Sequence, residues 1–200
     1  MDTTIPLLIE KDNIFSTIID KYGLPQFIMR PPGFESLSKT ILEQQVSLDS
    51  ARASFNKLKA LIIDFTPENC IEVSEQEFRE CGISRQKTVY LRGLAEAIID
   101  KRIDIEGLAQ KQPNEVRSEL IQLKGIGNWT VDVYLMFSLQ SPDILPLGDI
   151  GILSAIKDLW GLTDMNEVIA HTEHWKPYRT TAAFFLWHYY LEKRGRKFPH

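Results

Sequence analysis

The sequence is poor in cysteine and in long apolar runs, which excludes several classes of protein. Its 200 residues include two cysteines, Cys70 and Cys81, with no histidine beside either. The pair fits neither a zinc site nor a disulfide framework, so a reducing compartment is expected. An iron–sulfur cluster, which needs four ligands, is excluded. No apolar run reaches the roughly 18 residues of a membrane helix, and a secretory signal is not recognisable at the start.

Positive charge is not in surplus either. The sequence has 23 Lys and Arg against 27 Asp and Glu, a net charge of −4. Many nucleic-acid-binding domains are basic, so any DNA contact of this chain must be local. The most basic stretch is the tail, which is equally typical of a solvated terminus. It carries Lys193, Arg194, Arg196 and Lys197.

Alternation of apolar and polar residues is nearly absent, so no substantial sheet is expected. Apolar residues recur instead at helical spacing. Thr66-Pro67 and the capping-box pattern Ser74-x-x-Glu77 mark the starts of two further helices. We predict an all-α fold with two helical lobes and a cleft between them. The main predicted helices cover 13–22, 34–46, 48–62, 84–99, 113–122, 128–139, 150–160, 164–171 and 178–192.

A Gly-x-Gly turn separates two of these helices. Gly125 and Gly127 permit a tight hairpin, and their amide groups precede a helix N-terminus, which favours a phosphate. A dinucleotide-binding fingerprint would need a third glycine where Thr130 stands and a strand before the turn, and a Walker loop would need Gly-Lys-Ser/Thr. By itself, the pattern is more often a purely structural turn.

The longer segment around this turn is more specific. It contains LKGIGNWT at 123–130 and LPLGDIG at 145–151. This segment resembles the helix-hairpin-helix (HhH-GPD) DNA glycosylase superfamily, and more narrowly its DNA-3-methyladenine glycosylase branch, of the AlkA and MAG type. Three further stretches match: SKTILEQQVS at 38–47, GISRQKTVYLRGLA at 82–95 and WKPYRTTAAFFLW at 175–187. The resemblance covers residues from about 25 to 195.

The resemblance implies one glycosylase domain over residues 1–200, with two helical subdomains. The N- and C-terminal helices are expected to pack with one lobe, without the N-terminal β domain of some members. The implied activity is that of a monofunctional glycosylase of base excision repair. It flips alkylated purines of the 3-methyladenine and 7-methylguanine type out of duplex DNA and removes them by hydrolysis, leaving an abasic site.

Asp149 falls on the catalytic aspartate of the family. An ionised carboxylate stabilises the oxocarbenium character that develops at C1′ and orients the attacking water. Asp149 also precedes a predicted helix beginning at Ile150, where aspartate is a common N-cap. The two roles are compatible, because a helix N-terminus favours a negative charge.

Four aromatic residues are candidates for the base pocket. Trp129 occupies the position where strand-cleaving members carry a lysine that forms a Schiff base, which implies that this chain has no AP lyase activity. Trp187 matches a second pocket aromatic, and Tyr134 and Tyr178 are expected neighbours. Aromatic faces attract cationic alkylated purines. Ordinary helix core is the alternative for each, above all for the tyrosines.

The DNA contacts implied by the resemblance lie in two places. Gln44 and Gln45 match the loop that fills the space left by the flipped base, although a polar helix C-terminus is the alternative. The hairpin is expected to contact a phosphate through Lys124, Gly125, Gly127 and Thr130.

A monovalent cation is the one ion implied by the resemblance, and no cofactor is expected for catalysis. The backbone carbonyls of Ile121, Leu123 and Ile126 match the positions that bind sodium or potassium in the family. Such an ion would reduce the need for basic side chains at the DNA. His171 and His174 also have helical spacing, but no third metal ligand is evident from the sequence.

The expected partner is double-stranded DNA with damaged bases, bound by a monomer and without a membrane. The expected location is the cytoplasm, with the nucleoid, for a prokaryotic source, and the nucleus for a eukaryotic one. Two alternatives stay open: a glycosylase for deaminated bases such as hypoxanthine or uracil, and a non-catalytic module that binds damaged DNA.

Overall fold

The computed structural model describes residues 3–196, and within this range it contains helices and no β-strand. The predicted all-α class is confirmed. None of the described helices has the length and apolarity needed to cross a bilayer. The helices are α1 (Thr4–Lys11), α2 (Ile14–Tyr22), α3 (Phe34–Glu43), α4 (Leu48–Leu61), α5 (Pro67–Glu72), α6 (Glu75–Glu80), α7 (Arg85–Ile99), α8 (Pro113–Leu120), α9 (Asn128–Phe137), α10 (Ile150–Trp160), α11 (Met165–Glu173) and α12 (Arg179–Glu192), with a 3-10 turn at Gly107–Gln110.

The chain divides into two compact units. The terminal unit combines residues up to Met29 with those from Gln140 onward, and the central unit is the continuous segment Arg30–Leu139. In the described residues, the terminal unit therefore contains α1, α2 and α10 to α12, and the central unit contains α3 to α9.

The central unit is built around α9. All side chains from Thr130 to Phe137 are buried, and a helix that is buried and largely apolar on every side belongs inside a core. Helix α3 packs on α9, and the buried hydroxyls of Ser36 and Ser138 share a hydrogen bond of 2.6 Å. At the edge of this core, Arg30 donates two hydrogen bonds to Glu43, at 2.9 and 2.7 Å.

The terminal unit is built in the same way around α12, whose residues Thr180 to Trp187 are all buried. Helices α1, α2 and α10 pack against it. Phe15 from α2 forms edge contacts with Phe185 of α12, at 5.6 Å between centroids, and with Trp175, at 5.3 Å. These large apolar contacts supply the core of a unit whose two segments are far apart in sequence.

The predicted helices are present, but three of them end two or three residues earlier than predicted, at Glu43, Leu120 and Phe137, and α11 ends two residues later, at Glu173. Helix α3 ends at Glu43 rather than at residue 46, because Gln44 is extended and Ser47 caps the next helix through Ser50 N at 3.2 Å. Helix α1 was not predicted, since its short apolar face, Ile5 and Leu8, gives a weak periodic signal.

Candidate active site

Asp149 lies at the N-cap of α10 in the terminal unit. Its Oδ1 accepts a hydrogen bond from the backbone N–H of Ile152, at 3.0 Å. The same oxygen accepts a second hydrogen bond from the indole Nε1 of Trp187 on α12, at 3.0 Å. The predicted capping role is therefore observed, and the half-buried carboxylate has a fixed orientation. Two donors and the positive end of α10 stabilise a negative charge there.

Because Gly151 has no side chain, α12 can pack closely against the start of α10. A Cβ at this position would lie 3.0 Å from Asp149 Oδ1, 3.2 Å from Tyr190 Cδ1 and 3.4 Å from Trp187 Cδ1. Any larger residue would therefore push against the carboxylate. Neither Gly151 nor Tyr190 was predicted as a site residue. The available signal was a glycine in the first turn of a predicted helix, two residues after the candidate catalytic residue.

Trp187 has a different contact from the predicted one. It is only 8% exposed, and its indole N–H is donated to Asp149, so its ring offers little surface for stacking on a base. Tyr178 precedes the first residue of α12, nine positions before Trp187, which corresponds to about 13 Å along a helix. The structure thus brings Trp187 to Asp149 and keeps Tyr178 away from them. Instead, the Tyr178 ring lies 5.9 Å from Lys11 Nζ.

In the central unit, α8 and α9 enclose the predicted hairpin. Gly125 has φ +88°, and a Cβ at this position would lie 2.2 Å from the ring of Tyr90 on α7. Both the backbone conformation and the lack of space therefore require glycine. Gly127 has an ordinary φ of −104°, and a Cβ there would meet nothing within 4 Å. The backbone at the start of α9 is therefore open to a ligand.

An arginine joins the two helices of the hairpin. Arg117 on α8 donates from Nη1 to Asn128 Oδ1, at 3.0 Å, and pairs through Nη2 with Asp132 on α9. Burial raises the pKa of Asp132, and the hydrogen bond and charge of Arg117 oppose this effect. The sequence analysis missed this pair, although an aspartate within an otherwise apolar helix was a visible signal.

The half-buried Gln44 side chain makes its contacts within the central unit, and its predicted contact with DNA stays a prediction. Its Nε2 donates to the Gly125 carbonyl and to Thr130 Oγ1, both at 2.8 Å. Thr130 is 2% exposed, so its hydroxyl offers little surface to a phosphate, and this contact too stays a prediction. Both side chains instead connect the end of α3 to the hairpin.

The residue after Gln44 is exposed. Gln45 has φ +55°, a left-handed conformation that is uncommon for residues other than glycine. Lys87 Nζ donates to the Leu42 carbonyl at 2.7 Å, so the end of α3 is held from α7 as well as from the hairpin. Burial lowers the pKa of Lys87. Gln45 therefore lies exposed on a turn that contacts from α7 and the hairpin hold in place.

The remaining predicted residues of the hairpin vary in exposure. Trp129 is half-buried in the first turn of α9, and Lys124 is exposed. Tyr134 is 0% exposed, and its hydroxyl accepts a hydrogen bond from Gly33 N at 3.1 Å. Burial raises the pKa of Tyr134. Tyr134 therefore belongs to the core of the central unit and presents no ring face to a base.

The predicted cation ligands Ile121, Leu123 and Ile126 lie in the turn between α8 and α9. The turn is closed by a hydrogen bond from Ile126 N to the Leu123 carbonyl, at 3.1 Å. These three residues therefore lie close together in one turn of the chain.

The basic tail is partly engaged within the terminal unit. Lys193 pairs with Asp158 at 2.7 Å, and the Arg194 guanidinium lies 3.8 Å from the Tyr190 ring centroid. Arg196 is exposed, and Lys197 lies outside the described residues.

Comparison with known proteins identifies the family. The sequence matches the family described as HhH-GPD superfamily base excision DNA repair protein over residues 38–179, a span that includes the hairpin and Asp149. The chain belongs to the HhH-GPD superfamily. The resemblance inferred from the sequence motifs is thereby confirmed.

HhH-GPD relatives match most of the chain. DNA-3-methyladenine glycosylase 1 of Schizosaccharomyces pombe is 35% identical, over 85% of this chain and 78% of its own length. The crystal structure of a DNA-3-methyladenine glycosidase from Bacillus halodurans has a TM-score of 0.79 and 30% identity, covering 98% of this chain and 91% of its own. The S. pombe enzyme Mag1 in complex with abasic DNA has a TM-score of 0.77 and 30% identity, covering 88% and 89%.

Proposed function

We propose that this HhH-GPD chain is a monofunctional DNA glycosylase of base excision repair. Its substrates are alkylated purines of the 3-methyladenine and 7-methylguanine type in duplex DNA, and its product is an abasic site. The observation that carries this proposal is the fixed carboxylate of Asp149, held by Ile152 and Trp187 at the start of α10. Relatives named as 3-methyladenine glycosylases support the choice of substrate.

The chemistry follows from the leaving group. A purine alkylated at N3 or N7 carries a positive charge, so it leaves C1′ with the electron pair of the glycosidic bond and becomes neutral without a general acid. The sugar then has oxocarbenium character, which the Asp149 carboxylate stabilises. A water molecule then forms the new bond to C1′, and in this proposal the Asp149 carboxylate orients this water and accepts the proton that it loses.

Binding to DNA is assigned to the hairpin and to the turn at Gln45. The open backbone at Gly127 lies at the N-terminus of α9, where unpaired N–H groups and the helix dipole favour a phosphate. Lys124 is exposed beside it. The carbonyls of Ile121, Leu123 and Ile126 would hold a sodium or potassium ion, which supplies positive charge to the phosphate. Such contacts suit a chain with a net charge of −4.

Trp129 determines the type of reaction in this proposal. A tryptophan has no amine with which to form a Schiff base, so water is the nucleophile and the DNA strand stays intact. The half-buried indole is assigned to the cationic base, which an aromatic face attracts.

The test is base release from methylated duplex DNA, followed by alkali. Wild-type protein is expected to release 3-methyladenine and to give strand breaks only after alkali. Asp149→Asn is expected to lower the rate by about a thousandfold while DNA affinity is retained. Asp158→Asn is the matched control, because it removes an exposed carboxylate from the same helix.

Three outcomes would contradict the proposal. Full activity of the Asp149→Asn variant would show that Asp149 has no catalytic role. Release of hypoxanthine or uracil in place of methylated purines would assign the chain to deaminated bases. Tight binding to abasic-site DNA without release of any base would identify a binding module.

A further inference from the structure

A second cluster of polar side chains lies in the terminal unit, at the ends of α1 and α11. Asp12 follows the last residue of α1, His171 lies in the last turn of α11, and His174 follows that helix. Each residue offers one ligand atom, and these atoms all lie within 4.8 Å of one another. The two histidines are recognisable from their spacing in the sequence, whereas the third ligand is not, because Asp12 is distant in the chain.

The distances suit a small divalent cation. Asp12 Oδ2 lies 3.6 Å from His171 Nε2 and 3.7 Å from His174 Nε2. In a tetrahedral zinc site with bonds of about 2.0 to 2.1 Å, neighbouring ligand atoms are separated by about 3.3 Å. The two separations from Asp12 Oδ2 therefore exceed this value by only a few tenths of an ångström, and the two histidine ligand atoms lie within 4.8 Å of each other. Both separations are too long for direct hydrogen bonds.

The carboxylate of the cluster is oriented by its surroundings. The indole Nε1 of Trp160 donates to Asp12 Oδ2 at 3.1 Å, and that of Trp175 donates to the same oxygen at 3.2 Å. The backbone N–H of Ile14 donates to Oδ1 at 3.1 Å. Hydrogen bonds of this kind fix the ligands in metal sites and tune their affinity.

One ligand atom lacks a hydrogen-bond partner. His171 Nε2 is buried, and no partner for it occurs among the described residues. A buried polar atom without a partner costs free energy, and such atoms in native proteins point to a missing water or ion. His174 is 42% exposed in its side chain, which gives an ion access from solvent and leaves a coordination position for water.

We propose that Asp12, His171 and His174 bind a zinc-type divalent cation, with water as the fourth ligand. Two imidazoles and a carboxylate form a donor set that suits zinc and its neighbours in the first transition row. The ion would join the end of α1 to the end of α11 and stabilise the terminal unit. It takes no part in the reaction proposed for Asp149, which is held by α10 and α12.

The test uses the full chain, freed of metal with a chelator. Equilibrium dialysis against zinc, with elemental analysis, is expected to give a single bound ion per chain. His174→Ala is expected to weaken binding by at least about 100-fold, since even the loss of an outer-shell group costs 10- to 100-fold. His188→Ala is the matched control and is expected to bind like wild type, because His188 contacts the Tyr22 carbonyl instead.

Cobalt substitution gives a second measurement. Tetrahedral coordination by two imidazoles and oxygen ligands is expected to produce visible absorption bands that His174→Ala lacks. His174 is exposed and lies beyond the last turn of α11, so this variant is expected to fold, and circular dichroism checks that it does. Asp12→Asn provides an independent test of the third ligand.

Absence of bound zinc at micromolar concentrations would overturn the proposal. Equal zinc affinity in wild type and His174→Ala would also overturn it, since the ion would then lie elsewhere. Base release from methylated DNA is measured on the same metal-free and zinc-loaded samples. It is expected to be equal in both, so failure of the zinc site is distinguishable from failure of the proposed glycosylase function.

Discussion

The hairpin of the central unit and the Asp149 site of the terminal unit are held in different ways. The hairpin is fixed from several sides by the side chains of Gln44, Tyr90 and Arg117, while the backbone at Gly127 stays open. Asp149 is fixed by one backbone N–H and one indole, which both donate to the same carboxylate oxygen, Oδ1. In the proposed function, the hairpin offers backbone amides to DNA, whereas the Asp149 site depends on a single carboxylate. Substitutions are therefore expected to act on stability at the hairpin and on reaction rate at Asp149.

The largest effect on stability is expected from Gly125→Ala. The new Cβ would lie 2.2 Å from the Tyr90 ring at a φ of +88°, so the free energy of unfolding should fall by about 3 kcal/mol. Urea denaturation measures this change. Gly127→Ala is the matched control and should cost less than about 1 kcal/mol, because its Cβ meets nothing within 4 Å. Equal losses in the two variants would contradict the role assigned to Tyr90.

Arg117→Ala is expected to lower the free energy of unfolding by about 2 kcal/mol, since it leaves Asp132 buried without its cation. Asp132→Asn removes that unpaired charge. In a double-mutant cycle, Arg117→Ala in the Asp132→Asn background should therefore cost less than in wild type. Additive losses would show that the two side chains are not coupled.

The substitution Trp187→Phe distinguishes an effect on the rate of base release from an effect on stability at the Asp149 site. The substitution keeps an aromatic ring in the core but removes the N–H donor to Asp149. We expect the maximal rate of base release to fall about tenfold, equivalent to about 1.4 kcal/mol, with little change in the substrate concentration for half-maximal rate. Trp160→Phe, which removes an indole outside this site, is the control. A change confined to substrate affinity would instead favour the predicted stacking role.

Gln45→Gly is expected to have the smallest effect on stability. Glycine adopts a φ of +55° without strain but loses more entropy on folding, so the free energy of unfolding should change by less than about 1 kcal/mol. If Gln45 fills the space left by a flipped base, base release should nevertheless slow, because glycine offers no side chain. Normal base release by a stably folded Gln45→Gly variant would show that Gln45 does not fill the space left by the flipped base.

Local patterns in the sequence were sufficient where neighbouring residues determine the structure. Ser74 and Glu77 form the predicted capping box, with both of its hydrogen bonds present. Asp149 caps α10 as its position before Ile150 indicated. Such motifs are predictable because every partner lies within one helical turn.

Contacts between distant segments were not predictable in the same way. Gln44 reaches Gly125 and Thr130, which lie 81 and 86 positions further along the chain, so only the fold shows that its amide faces inward. Trp187 was selected for its aromatic ring, but its N–H makes the contact with Asp149. A single sequence gives the residue type at such positions and not the direction in which the side chain points.

The terminal unit is built from two segments of the chain that the central unit separates, and this affects the order in which the two units can fold during synthesis. Residues Arg30 to Leu139 are continuous, so their mutual contacts can form while the ribosome is still adding α10 to α12. Trp187 lies on α12, which follows this segment in the chain. The nascent protein therefore acquires its hairpin before its fixed carboxylate. An incomplete translation product without α12 would keep the hairpin proposed to bind DNA while lacking the tryptophan that orients Asp149.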